Sequence, residues 1–238
     1  MINSELKTFT LPFPNERGER KIWVYVPSHK EGETLPVIYM TDGQNLFDEE
    51  STPYGCWNVI PAVEKEQKDT GFSAVIVGID NGNVYRDSEL TPKCIGEIQH
   101  REYFNDIFTP EGEVFDSFLM DTVIPYVENN FPVKKNKESV AVCGSSSGGL
   151  QAFFEGIEHS DKFSFVGALS PAFVVYKEDD WRAYLLSKVN DDMPYIYMYC
   201  GNADPLEEIL MQSTEMMYDL LPETGYPYDR FNEILLFE

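Results

Sequence analysis

Residues 139–153 read SVAVCGSSSGGLQAF. A short apolar run leads into glycines enclosing three serines, and a helical pattern follows from about Leu150. Residues 144–148 fit G-x-S-x-G with Ser146 at the centre, after a buried strand and before a helix. That is the context a nucleophile elbow requires. Flanking glycines keep side chains clear of a sharp turn, so the Ser146 hydroxyl stands above the sheet. The helix N-terminus then favours a developing negative charge. Ser145 and Ser147 are out of register, and Ser147 would instead offer its backbone N–H to an oxyanion. No Lys-Ser or Lys-Thr follows the glycines, so a phosphate loop is excluded. The rival reading of the same letters is a small-residue turn that packs a helix closely on a strand.

Working outward, strand and helix patterns alternate. KTFTLPF (7–13) and RKIWVYVP (20–27) are β-rich, while LPVIYM (35–40) and FSAVIVGID (72–80) are the continuous apolar runs of strands buried on both faces. NVIPAVEKEQKDTG (58–71) predicts a helix ending at Gly71. EVFDSFLMDTVIPYVENNF (113–131) carries a helical stripe that Pro125 should kink. Beyond the serines come strand FVGALSP, helix DDWRAYLLSKV, strand PYIYMYCG and helix PLEEILMQSTEMMYDLL. That last helix shows Leu206, Ile209, Leu210, Met217, Leu220 and Leu221 on one face. A final strand, FNEILLF, follows. The expectation is one α/β domain over 1–238, with chemistry at the carboxyl ends of parallel strands.

The 18 basic and 41 acidic residues leave a net charge of −23, a field that repels phosphate backbones and anionic lipid. Nucleic-acid and membrane partners are therefore not expected. MINSELKTFTLPFPNERGERK (1–21) lacks the pattern of a signal peptide, and no run approaches 18 apolar residues. Cys56, Cys94, Cys143 and Cys200 show no metal spacing. Cys143 and Cys200 read as buried thiols in a reducing compartment, so a cytoplasmic location is expected.

MTDGQNLFD (40–48), NGNVYRDSELTP (81–92), IPYVENNFPV (124–133), CGSSSGGL (143–150) and GALSPAF (167–173), in this order, resemble the putative-esterase family of α/β-hydrolases. That family includes feruloyl and acetylxylan esterases, enterochelin-esterase-like enzymes and mycolyl acyltransferases. The resemblance covers almost the whole chain. It implies a mostly parallel central sheet with helices on both faces. It also implies ester hydrolysis by a Ser-His-Asp (or Glu) triad without metal or organic cofactor. Besides Ser147, a second oxyanion donor comes in this fold from the loop after an early strand, and the resemblance places it at Gln44. That loop also reads as a plain turn, or more weakly as a calcium loop of Asp42, Asn45, Asp48 and Glu49 whose spacing is wrong.

The triad acid lies in this fold beyond a later strand, which points to Asp204. The same residue could instead cap the following helix. Glu207 and Glu208 are rivals one turn on, whereas Asp191, Asp192 and Asp229 precede strands and so sit at the wrong edge. The histidine belongs after the last strand, and here the chain ends at that strand. The fold is thus expected truncated there. A longer enzyme, a protein that has lost hydrolysis, and another base all stay open. His29, His100 and His159 read as surface residues, with His100 the nearest to a substitute base. An uncovered sheet face would favour self-association. Phe47, Tyr54, Trp57, Arg86, Glu89, Phe173, Tyr176 and Trp181 are the substrate-binding candidates, the aromatic ones by stacking on a sugar or phenolic acyl group. The expected activity is hydrolysis of small-molecule or carbohydrate-linked acyl esters, acetyl or feruloyl. The rivals are an acyltransferase of the same fold and a binding protein without turnover.

Overall fold

The computed structural model describes residues 1–47, 55–201, 205–232 and 235–236. In chain order the strands are β1 (Glu5–Pro12), β2 (Glu19–Val26), β3 (Val37–Thr41), β4 (Val75–Ile79), β5 (Val140–Ser145), β6 (Phe165–Leu169), β7 (Tyr195–Cys200) and β8 (Leu235–Leu236). The α-helices are α1 (Gln44–Phe47), α2 (Val59–Thr70), α3 (Arg86–Glu89), α4 (Gly112–Phe118), α5 (Ile124–Asn130), α6 (Ser147–Glu158), α7 (Glu178–Lys188) and α8 (Pro205–Glu223). The fold class is α/β. No helix among the described residues is long and apolar enough to cross a membrane. The chain packs as two compact units, Met1–Gly82 with Asp116–Val140, and Asn83–Phe115 with Ala141–Glu238.

In the first unit β1 and β2 form an antiparallel hairpin, β2 runs antiparallel to β4, and β4 runs parallel to β3. The reversal at 13–18 is closed by the Phe13 N–H donating to the Gly18 carbonyl (2.8 Å). Every residue of β4 is buried, as its unbroken apolar run predicts. Helix α2 ends where Gly71 takes a left-handed conformation and returns its N–H to Gln67. The predicted kink at Pro125 takes a particular form. A π-helical stretch, Leu119–Val123, joins α4 to α5 without leaving the helical backbone, and Pro125 follows directly after it in the first turn of α5.

In the second unit β5, β6 and β7 pair in parallel, and β8 continues the ladder on β7. Helix α6 starts at Ser147, three residues before Leu150, because one residue, Ser146, makes the whole turn out of β5. Residues Ser147–Ile157 of α6 are all buried, which its glycines permit. A methyl added at Gly156 would lie 2.1 Å from Val166 Cγ2. The buried face of α8 is Leu210, Ser213, Thr214, Met217, Leu220 and Leu221. Leu206, expected on that face, is exposed. Ser213 and Thr214 enter instead because their hydroxyls donate to the Leu210 carbonyl (2.9 and 2.8 Å).

Candidate active site

Ser146 has φ 59° and ψ −125°, a conformation that costs a non-glycine residue roughly 1–3 kcal/mol. Its surroundings hold it there. The Ser146 N–H donates to the Leu169 carbonyl (3.0 Å), and its carbonyl accepts from Leu150 N (3.0 Å) and Ala172 N (3.1 Å). Gly149 allows the approach of helix to strand, since a methyl there would sit 3.1 Å from the Leu169 carbonyl oxygen and 3.2 Å from that of Gly144. The turn places Ser146 at the carboxyl end of β5 and the first-turn N–H groups of α6 beside it. The Ser147 N–H has no acceptor among the described residues, as its position in the first helical turn dictates.

Two side chains from the segment after β4 complete this arrangement. The Ser147 hydroxyl donates to Asp87 Oδ1 (3.0 Å). Arg86 donates from Nη1 to the same oxygen (3.1 Å) and from Nη2 to the Ser145 carbonyl (3.3 Å). Arg86 and Asp87 thus reach the residues on either side of Ser146. Asp87 was not among the candidates of the sequence reading, although it lies within the quoted NGNVYRDSELTP.

In the first unit the candidate oxyanion loop is tightly built. Gly43 donates to Ile79 O (2.8 Å), Asn45 to Asp42 O (2.8 Å) and Leu46 to Gly43 O (3.2 Å). The Gln44 N–H alone of these four consecutive groups has no acceptor among the described residues. Asn81 fixes the loop from the end of β4. Its Nδ2 donates to Asp42 Oδ1 (2.6 Å) and its N–H to Gln44 Oε1 (3.2 Å). A methyl on Gly43 would lie 2.6 Å from the Gly78 carbonyl carbon, so only glycine fits. Nearby, Trp23 Nε1 donates to Asp80 Oδ1 (2.6 Å). Burial raises the Asp80 pKa above the usual carboxylate range, although the Trp23 bond, Lys21 and Arg20 pull it down.

The other candidates are placed as follows. Phe47 stacks on Trp23 (5.8 Å between centroids), and Trp57 is exposed and tied by its N–H to Asn45 O (2.9 Å). Phe173 is corrected from substrate contact to core. It is fully buried, edge-on to Phe153 (4.9 Å) and Trp181 (5.3 Å). Trp181 and Tyr176 are buried in the same cluster, Trp181 donating to the Phe173 carbonyl and Tyr176 to that of Pro92. Glu89 is buried. Tyr54, Asp48 and Glu49 lie outside the described residues, and so does Asp204. Of its rivals, Glu207 holds its carboxylate over Gly201 just past β7, 2.5–2.6 Å from where a methyl there would be.

His29 is buried, contrary to the expectation of a surface position, because Ile2 exchanges two backbone hydrogen bonds with it and its Nδ1 donates to Pro27 O (2.9 Å). His100 is exposed, stacks on Tyr103 (5.2 Å) and meets Glu102 (3.3 Å). Glu102 is held below the usual carboxylate range by its own backbone N–H and by His100. His159 closes the far end of α6, about 18 Å of helix from Ser147. All four cysteines are free thiols. Cys200 is buried and Cys143 half-buried.

A family model described as "Putative esterase" matches residues 16–210. The uncharacterized protein YbbA of Bacillus subtilis (strain 168) is 23% identical over 224 residues, 91% of this chain and 83% of that protein. Among solved structures, an IroE-like serine hydrolase from Shewanella oneidensis aligns with TM-score 0.74 and 18% identity, covering 98% of this chain and 74% of the other. A ferulic acid esterase aligns with TM-score 0.69 and 18% identity, covering 99% and 90%. At this identity the structural likeness establishes the fold, which is that of the α/β-hydrolases.

Proposed function

The chain belongs to the putative-esterase family, a family of ester hydrolases, and from that premise we propose that it is a serine esterase acting through an acyl-Ser146 intermediate. The observation that carries this reading is the strained turn at Ser146, φ 59° and ψ −125°, between β5 and α6. A packing turn needs no serine in that conformation, whereas a nucleophile held clear of its neighbours does. Ser146 Oγ attacks the ester carbonyl and passes its proton to a general base. The Ser147 N–H donates to the oxyanion, and the second donor of this proposal is the Gln44 N–H. The intermediate collapses and expels the alcohol, which takes up the proton, and water then releases the acid. Asp204 is the acid that orients the base, with Glu207 as its rival. The scheme draws on no cofactor.

The substrate is a small-molecule or carbohydrate-linked acyl ester, and a cytoplasmic setting agrees with the free thiols. An acyltransferase would use the same intermediate, with a sugar hydroxyl in place of water. A second reading, ligand binding without turnover, is favoured by the histidines. His159 lies a helix length from Ser147, and the His100 ring is engaged with Tyr103 and Glu102 on the surface. Hydrolysis of a short-chain nitrophenyl ester, measured beside Ser146→Ala, tests the proposal. Turnover that the substitution lowers by about a thousandfold or more supports the enzyme. Equal rates from both proteins leave the binding reading. Product analysis with an added alcohol acceptor separates hydrolase from acyltransferase.

A further inference from the structure

We propose that Arg86 and Asp87 are positioning residues that grip both neighbours of Ser146 and hold the turn in its reactive shape. This rests on the reading of Ser146 as nucleophile. The two residues reach one to each side of it, Arg86 to the Ser145 carbonyl (3.3 Å) and Asp87 to the Ser147 hydroxyl (3.0 Å). They are joined to each other through the 3.1 Å ion pair. A backbone as strained as that of Ser146 persists only when its surroundings over-determine it. The Leu169 carbonyl of β6, the Leu150 amide of α6 and the Ala172 amide fix Ser146 itself, and this pair fixes what precedes and follows it.

Electrostatics explains why the brace is a pair. A carboxylate at the first turn of α6 suits the helix dipole. Alone, however, it would oppose negative charge developing on an oxyanion held by the Ser147 N–H. Arg86 cancels it, so the brace holds the turn without repelling the transition state. Arg86 then acts by neutralising and positioning, a different task from the substrate contact expected of it. A definite ordering follows. Arg86→Gln leaves an uncompensated carboxylate and is the more damaging single change. Asp87→Asn is milder, and adding it to Arg86→Gln restores part of the loss.

The test is inactivation by an uncharged aryl phosphonate and by its carboxylate-bearing analogue, each resolved into a binding constant and a rate of covalent capture at Ser146. Amide hydrogen exchange of peptides covering 144–150 and thermal unfolding are measured on the same proteins. Arg86→Gln should slow capture by about tenfold or more and Asp87→Asn by about threefold. The double variant should recover towards Asp87→Asn, with the binding constant of the uncharged probe unchanged throughout. Exchange at 144–150 should quicken in both single variants. If a single variant fails to fold, Ser147→Ala removes only one hydroxyl and should reproduce Asp87→Asn. It should add nothing to that change when the two are combined.

Capture and exchange within twofold of the parent protein in all variants overturn the proposal. So does an Arg86→Gln effect confined to the binding constant of the carboxylate-bearing probe, which would make Arg86 a substrate contact. A parent protein never captured at Ser146 overturns the nucleophile reading instead. In that case faster exchange in the variants sustains the brace, and unchanged exchange overturns it.

Discussion

At Ser146, stability and reactivity pull against each other. Glycine adopts φ 59° and ψ −125° freely, and alanine does not. Ser146→Gly should therefore be more stable than Ser146→Ala by about 1 kcal/mol in denaturant titration, while both lose hydrolysis. Asp80 allows a second residue-scale prediction. Its folded pKa is raised, so between the ordinary carboxylate value and the raised one the folded state binds more proton than the unfolded. Stability from this group therefore falls as pH rises through that window. Asp80→Asn keeps an acceptor for Trp23 and removes the buried charge. Its unfolding midpoint should exceed the parent's at pH 7, and the difference should vanish below the ordinary carboxylate value. The strand–turn–helix at Ser146 was legible because its signal is local, five consecutive letters after a strand. Asp87 and Asn81 were not. Their partners Ser147 and Asp42 stand 60 and 39 residues away, and nothing local marks such contacts. His29 was misjudged for the same reason, its charged neighbours concealing a pairing with Ile2.

Among the elements, the loop from β3 to α1 is closely constrained. Gly43 and Gly78 meet backbone to backbone, and a side chain on either must displace the other strand or the loop. Gly43→Ala should destabilise by about 1–3 kcal/mol. It should also slow ester hydrolysis by more than tenfold with little change in KM, because it shifts the proposed Gln44 donor rather than a binding surface. Steady-state kinetics on the folded variant measures this. Helices and strands were largely legible from periodicity. The errors have physical causes. Leu206 matches the stripe of α8 but lies in its first turn and is exposed, while Ser213 and Thr214 are buried because the helix backbone satisfies their hydroxyls. The start of α6 was misplaced because polar serines and glycines hide a buried helical turn.

For the molecule as a whole, a net charge of −23 means self-repulsion in the folded state. Raising NaCl from about 10 to about 150 mM shortens the screening length from roughly 30 to roughly 8 Å. Tm should rise by a few degrees over that range, as differential scanning calorimetry would record. The fold class was readable from the alternation of strands and helices, but the division into two units was not, because it depends on which segments return to which. That division also bears on biosynthesis. The first unit lacks residues 116–140 until the 33 residues from 83 to 115, which belong to the second, have been made. At about 5–20 residues per second, a ribosome spends roughly 2–7 s on that stretch. Throughout that interval the nascent β1–β4 segment waits for its own α5, and Ser146 leaves the ribosome only after the first unit has its last residue.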